Sequence, residues 1–215
     1  MATKSNVRIG WAQRDITPHR PVALRGLFNL RIATRVKDPI TLTALAIDNG
    51  EDHAILVSVD ACGVDPGLLE RVRGIACERF PDLQPRKIVI GATHTHTAPF
   101  AGDTATLQKD TDYLEHILAK YPDYMPTSEY TEQFVEGFAG AVCEAWACSA
   151  AGALAWGYSY AVVGENRRIR YVDNRAVMYG STALPDFSHV VGHVDHGANV
   201  LYTYDPSGKL TGAIV

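Results

Sequence analysis

Residues 87–99 read Lys87-Ile88-Val89-Ile90-Gly91-Ala92-Thr93-His94-Thr95-His96-Thr97-Ala98-Pro99. A short apolar run of this kind, rich in β-branched residues, predicts a strand buried on both faces. It passes directly into an alternation of threonine and histidine that has no packing purpose, and Pro99 closes the segment. Residues i and i+2 of an extended chain share a side, so the spacing puts His94 and His96 together. Imidazole is the commonest protein ligand for zinc, and loops at strand ends are where α/β proteins build sites. A catalytic zinc takes about three protein ligands and keeps one position open. The pair supplies two at most, so further ligands have to come from elsewhere.

Working outward, Val7 to Ala12 predicts a strand ended by the turn Asp15-Ile16-Thr17-Pro18, in which Asp15 is a turn or capping residue. Leu24 to Lys37 is irregular and predicts a loop crossing one face. Thr41 to Asp48 and His53 to Asp60 predict two strands joined at Asn49-Gly50, a strong hairpin signal. Asp65-Pro66 predicts a helix start, followed by Leu68, Leu69, Val72, Ile75, Ala76 and Phe80 at helical spacing. Helices are predicted over 112–120 and 129–150, the second capped by Thr127 or Ser128. Strands are predicted at 154–163, 198–204 and 210–215, with a turn at Asp205-Pro206-Ser207-Gly208 before the last.

The chain has 215 residues and a formal net charge of −4. Its length fits one domain, and its charge gives no basis for nucleic-acid binding. No run reaches the roughly 20 apolar residues of a membrane span, and no secretory leader follows Met1, so a cytoplasmic location is expected. Cys62, Cys77, Cys143 and Cys148 form no CxxC pair and read as buried free thiols. The sequence ends at Val215 inside an apolar strand, so we expect the chain to be the amino-terminal part of a longer protein.

The segment Gly91 to Pro99 resembles the (Ser/Thr)-His-Thr-His-x-Gly-Pro signature of the neutral ceramidase family. Shorter likenesses follow in order: Trp11-Ala12 through Asp15-Ile16-Thr17-Pro18, Val57-Ser58-Val59-Asp60, Asn166-Arg167-Arg168, and Asp195 to Val200 followed by Asp205 to Gly208. The resemblance implies an α/β fold of mixed β-sheets layered with α-helices, with residues 1–215 as the amino-terminal part of a catalytic domain. It implies a zinc-dependent hydrolase of an amide (N-acyl) bond in a small-molecule substrate. In that reading His94 ligates Zn2+ and His96 steadies the developing oxyanion. The other ligands would follow Val215, in the carboxy-terminal part of the same chain, and the 215 residues by themselves would be inactive.

Two departures qualify the substrate. Phe100-Ala101 stands where the family has glycines, which suggests a differently shaped pocket, and the missing leader argues against a membrane lipid such as long-chain ceramide. Asp60 either orients a histidine or caps the turn at Ala61-Cys62-Gly63. Asn166 and Arg167 are candidate substrate contacts, although Arg167 and Arg168 fit a structural role equally. His189, His193 and His196 with Asp195 read as a polar loop before a strand, and Cys62 has no partner that would make it a nucleophile. The alternatives are an amidohydrolase-type barrel with a binuclear HxH site, and a binding module that kept the fold without catalysis.

Overall fold

A computed structural model describes residues 7–27, 29–102, 116–117 and 119–215. The chain divides into two compact units, Met1–Ala153 and Leu154–Val215. In the first, five strands form one mixed sheet: β1 (Arg8–Asp15), β4 (Thr41–Asp48), β5 (His53–Val59), β6 (Ile88–Ala92) and β7 (Ala150–Ala151), in the order β6-β5-β4-β1-β7. Two helices cover it, α1 (Pro66–Arg79) and α2 (Thr127–Ala147). Neighbours β1/β4 and β4/β5 run antiparallel, whereas β5 and β6 run parallel with Ile55 opposite Ile88 and Val59 opposite Ala92. The predicted mixture of sheets and helices is therefore observed.

The register explains the layering. Ala12 faces Ala44, Ala44 faces Val57, and Leu42 faces Val59, so a run of small and branched side chains shares one side of the sheet. All five are buried, together with Val72 of α1 and Phe134, Phe138 and Val142 of α2. Alanine at the middle of the sheet lets α2 approach closely. A Cβ on Gly10 would stand 1.9 Å from the Ala145 carbonyl oxygen, and one on Gly137 would stand 2.9 Å from Ile16. The helices are joined across their exposed edge by Arg71–Glu132 (2.6 Å) and Arg79–Glu136 (3.1 Å), solvated pairs that contribute little.

The hairpin matches its prediction, with Asp48 paired to His53 around the turn residues 49–52. Three expectations need correcting. The apolar run at 88–92 lies at the sheet's edge, where Val89 is half exposed, because apolar runs also serve strands with one covered face. The stretch 24–37 holds a short hairpin, β2 (Val22–Leu24) with β3 (Arg31–Ala33). Neither helix is capped by a side chain: the Asp65 carboxylate pairs with Arg25 at 2.8 Å, and Thr127 sits inside α2 after Pro126. Of the helix predicted over 112–120, residues 116–117 and 119–120 are helical and the remainder falls outside the described residues.

The second unit holds two three-stranded sheets. One orders β8 (Ala153–Tyr160), β12 (Gly197–Tyr204) and β13 (Leu210–Ile214) as β13-β12-β8. The other orders β9 (Arg168–Tyr171), β10 (Ala176–Met178) and β11 (Phe187–Val190) as β10-β9-β11. The Asp205–Gly208 turn forms as expected, with the Asp205 carboxylate accepting from the Ser207 and Lys209 N–H groups. The β9–β11 sheet has no counterpart in the sequence prediction. No helix among the described residues is long and apolar enough to cross a membrane.

The four cysteines are free, but burial divides them: Cys143 is buried, Cys62 and Cys77 are half-buried, and Cys148 is exposed. Burial pushes the Cys77 and Cys143 thiols above their ordinary range. The expectation of four buried thiols thus holds for one.

Two glycine substitutions separate packing from chain entropy. Gly10→Ala forces a methyl group into the backbone of α2 and should destabilise the fold by about 1–3 kcal/mol. Gly74→Ala, in α1 with nothing within 4 Å of the added Cβ, should stabilise it by about 0.4–1 kcal/mol. Urea denaturation midpoints of the two variants, moving in opposite directions, check both.

Candidate metal centre

Parallel pairing carries β5 and β6 out of the same edge of the sheet, so the loops at residues 60–65 and 93–98 emerge side by side. The Thr93 N–H donates to the Val59 carbonyl at 3.0 Å and the Ala61 N–H to the same oxygen at 2.9 Å. One carbonyl therefore ties both loop origins. The far end of the histidine segment is tied to β2: Arg25 N–H donates to the Ala98 carbonyl (3.2 Å), Phe100 N–H to that of Ala23 (2.8 Å), and Leu24 bridges Pro99. The four residues between these clamps, 94–97, include both histidines.

The backbone leaves the strand conformation at His94, whose φ is +60°. Non-glycine residues rarely adopt this left-handed region, and such strain collects at functional sites. Strand alternation therefore does not bring the pair together; the reversal at His94 does. The two rings meet edge to face at 4.9 Å between centroids, with their Nε2 atoms 3.4 Å apart.

Each ring is held. His94 Nδ1 lies 2.6 Å from the Cys62 carbonyl oxygen. A carbonyl only accepts, so Nδ1 carries the proton and Nε2 presents its lone pair. His96 packs on Gly26, where an added Cβ would stand 2.6 Å from the ring's Cγ, and Arg31 Nη2 donates to the His96 carbonyl. Gly26 has φ +106°, so this position needs glycine both for conformation and for space. Arg25, one residue before it, pairs with Asp65 and lies over the Phe100 ring at 5.1 Å.

Cys62 completes the group. Its Sγ is 3.8 Å from His94 Nδ1, and one donor atom from each of Cys62, His94 and His96 lies within 4.8 Å of the others. These residues are the set of three or more His, Cys, Asp or Glu side chains so clustered among the described residues. The donors fit zinc: imidazole and thiolate are its preferred ligands. The 3.4 Å spacing admits either an N–H···N bond or two nitrogens on one tetrahedral ion at about 2.0–2.1 Å each.

The remaining sequence candidates take other places. Asp60 accepts from the Thr41 N–H and hydroxyl, both at 3.1 Å, and from the Thr93 hydroxyl at 3.4 Å. It braces the loop origins and makes no bond to a histidine ring. Asn166 donates to the Val191 carbonyl and accepts from the Arg168 N–H at 3.1 Å, and Arg167 lies 4.9 Å over Tyr179; these contacts organise the second unit's own loops. Asp15 holds its turn against Thr17, whose side chain and N–H (2.8 Å) draw the Asp15 carboxyl below the usual range. His189 contacts Ser188, and Asp195 accepts from the Gly197 N–H.

Phe100 is buried beneath Arg25, so its bulk is packed inside the first unit. A cleft of about 560 Å3 lies beside the segment, lined by Thr95, Thr97, Asp60, Leu24, Arg35 and Lys37 among others. That volume suits a small organic ligand. Neither Cys62 as a donor nor the β2–β3 hairpin as the support of His96 is legible in the sequence. Both lie in loops whose partners are distant in sequence, and the available signal was that Cys62 and His94 each follow an apolar strand by two or three residues.

No family model matches the chain, nor does any curated protein. Solved structures do. A ceramidase complexed with C2 superposes with TM-score 0.69 and 18% identity, covering 97% of this chain and 30% of that one. Neutral ceramidase from Pseudomonas aeruginosa gives TM-score 0.68 and 18% identity over 98% of this chain and 31% of that one. The fold is that of a ceramidase segment, and the chain spans about 30% of the length of these structures.

Gly26→Ala tests the support of His96. The added methyl should displace the ring, shifting the His96 imidazole resonances in NMR while those of His53, at the opposite end of β5, stay in place.

Proposed function

We propose that this chain carries part of the active site of a zinc-dependent amidase that cleaves the N-acyl bond of a small-molecule substrate, as a neutral ceramidase does. The observation that carries the reading is the 2.6 Å contact between His94 Nδ1 and the Cys62 carbonyl oxygen. The Nδ1 proton is committed to the Cys62 carbonyl, which leaves Nε2 as a ligand atom aimed at the space shared with His96. A carbonyl partner on the second nitrogen is the usual support of a metal-binding imidazole. The similarity in fold to ceramidases adds to it.

In this reading the chain's own groups divide the work. His94 would hold the zinc. When bound, the metal would supply Lewis acidity, lowering the pKa of a water towards about 7 and polarising the scissile carbonyl. His96, protonated at Nε2 and fixed by Gly26 and Arg31, would donate to the carbonyl oxygen as negative charge develops there. The cleft along Thr95 and Thr97 would take part of the substrate. Further ligands would come from outside the histidine pair. The open sheet with antiparallel β1 and β4 disfavours an amidohydrolase barrel, which is built from parallel strands. A binding module without catalysis is separated by metal content.

The two histidines should respond differently to removal. His94→Ala should lose zinc and activity together, whereas His96→Ala should keep its zinc and lose turnover by roughly 10²–10³, the cost of one oxyanion donor at about 2.7–4 kcal/mol. Zinc by mass spectrometry, read beside kcat, decides. Equal zinc loss in both variants would make the pair a two-histidine chelate.

A second expectation concerns substrate. Short or soluble N-acyl compounds should be cleaved in preference to long-chain ceramide, as judged by kcat/KM on an acyl-length series. The series reads what the cleft along Thr95 and Thr97 admits.

A further inference from the structure

In the sequence Cys62 has no paired histidine that would make it a nucleophile. In the fold, His94 stands beside it. We infer that Cys62 is a direct thiolate ligand of the metal that His94 holds, a role that rests on the functional reading above and extends it.

Three observations carry the inference. First, the main chain of Cys62 is locked to the ring it would accompany, because its carbonyl oxygen is the acceptor for His94 Nδ1 at 2.6 Å. The thiol of the same residue stays beside that imidazole: its Sγ stands 3.8 Å from Nδ1, and one donor atom from each of Cys62, His94 and His96 lies within 4.8 Å of the others. Secondly, the loop bearing Cys62 is pinned on both sides. The Ala61 N–H bonds to the Val59 carbonyl before it, and the Arg25 guanidinium lies at 3.5 Å from the Gly63 carbonyl after it. Such anchoring pre-pays part of the cost of ordering a ligand. Thirdly, Cys62 differs from the other thiols in its surroundings. Cys143 is buried in the apolar core, Cys77 donates to the Leu83 carbonyl, and Cys148 donates to the Trp11 and Ala145 carbonyls. Cys62 is partly open, and its clustered neighbours are the two histidines.

The chemistry has consequences for which ion is held. A thiolate beside imidazole is a soft donor set, which selects zinc or its spectroscopic substitute cobalt over magnesium or calcium. Binding requires loss of the thiol proton, so metal uptake should release it to solvent. With Cys62 and His94 as ligands, His96 stays available to donate to substrate.

Cobalt(II) provides the test, with the metal itself as probe and absorption as readout. The wild-type protein should show the visible ligand-field bands of bound cobalt together with a near-ultraviolet thiolate-to-cobalt charge-transfer band. Cys62→Ser should lose the charge-transfer band and bind cobalt more weakly, by on the order of 10–100-fold or more, at least the effect of removing an outer partner of a ligand. Cys148→Ser, at an exposed thiol, should keep the band. Circular dichroism of Cys62→Ser and Cys62→Ala checks that the fold persists. Bound cobalt with no charge-transfer band in the wild type overturns the inference and leaves the His94 reading standing. A charge-transfer band that survives His94→Ala overturns the His94 reading and leaves Cys62 a ligand. A band abolished by Cys148→Ser, or no cobalt bound at all, overturns the inference.

Discussion

The parallel pairing of β5 with β6 is the constraint from which the candidate site follows. Parallel neighbours send their loops out of the same edge, and here one carbonyl, that of Val59, receives the N–H groups of both Ala61 and Thr93. Thr93 and Ala61 thus begin their loops at a fixed separation. Everything that gives the site its chemistry is one or three residues away: Cys62 on one loop, His94 and His96 on the other. Asp60 reinforces the same junction by holding Thr41 and Thr93. Its contribution is structural and acts through the loop origins.

The rest of the first unit serves to keep that edge in place. Small residues on the sheet, Gly10, Ala12, Ala44 and Ala46, let α2 lie close enough for Gly10 to abut the Ala145 carbonyl. Close packing of this kind tolerates little adjustment, so the sheet edge is held as one piece with the helices. The β2–β3 hairpin closes the other end of the histidine segment and places Gly26 and Arg31 against His96. His94 is left to adopt its positive φ between two clamps. The strain there is supported by bonds on either side, as strained functional residues require.

Local signals in the sequence are legible, and those that depend on distant partners are not. The β4–β5 hairpin was visible because alternation, an Asn-Gly turn and β-branched residues all agree over a short span. The start of α1 was visible from Asp65-Pro66, yet the partner of the Asp65 carboxylate, Arg25, lies 40 residues away and could not be foreseen. The strand at 88–92 reads as fully buried because an apolar run does not reveal whether it has one neighbour or two. The β9–β11 sheet escaped because its strands are short and carry Arg168, Arg170 and His189, which read as loop residues. At the site, the histidine pair was legible as a motif. The conformation that joins the rings, and the cysteine that stands beside them, depend on the pairing of β5 with β6, a relation between segments some 30 residues apart.

The zinc ion proposed for the ends of β5 and β6 is held at His94. The most direct measurement is anomalous diffraction at the zinc edge from crystals of the protein grown with equimolar zinc. The account predicts a peak within ligand distance of His94 Nε2, about 2.0–2.1 Å, on the side shared with His96. A peak at His189, His193 or His196 with none at His94, or no peak in a crystal that shows His94 Nδ1 against the Cys62 carbonyl, would contradict it.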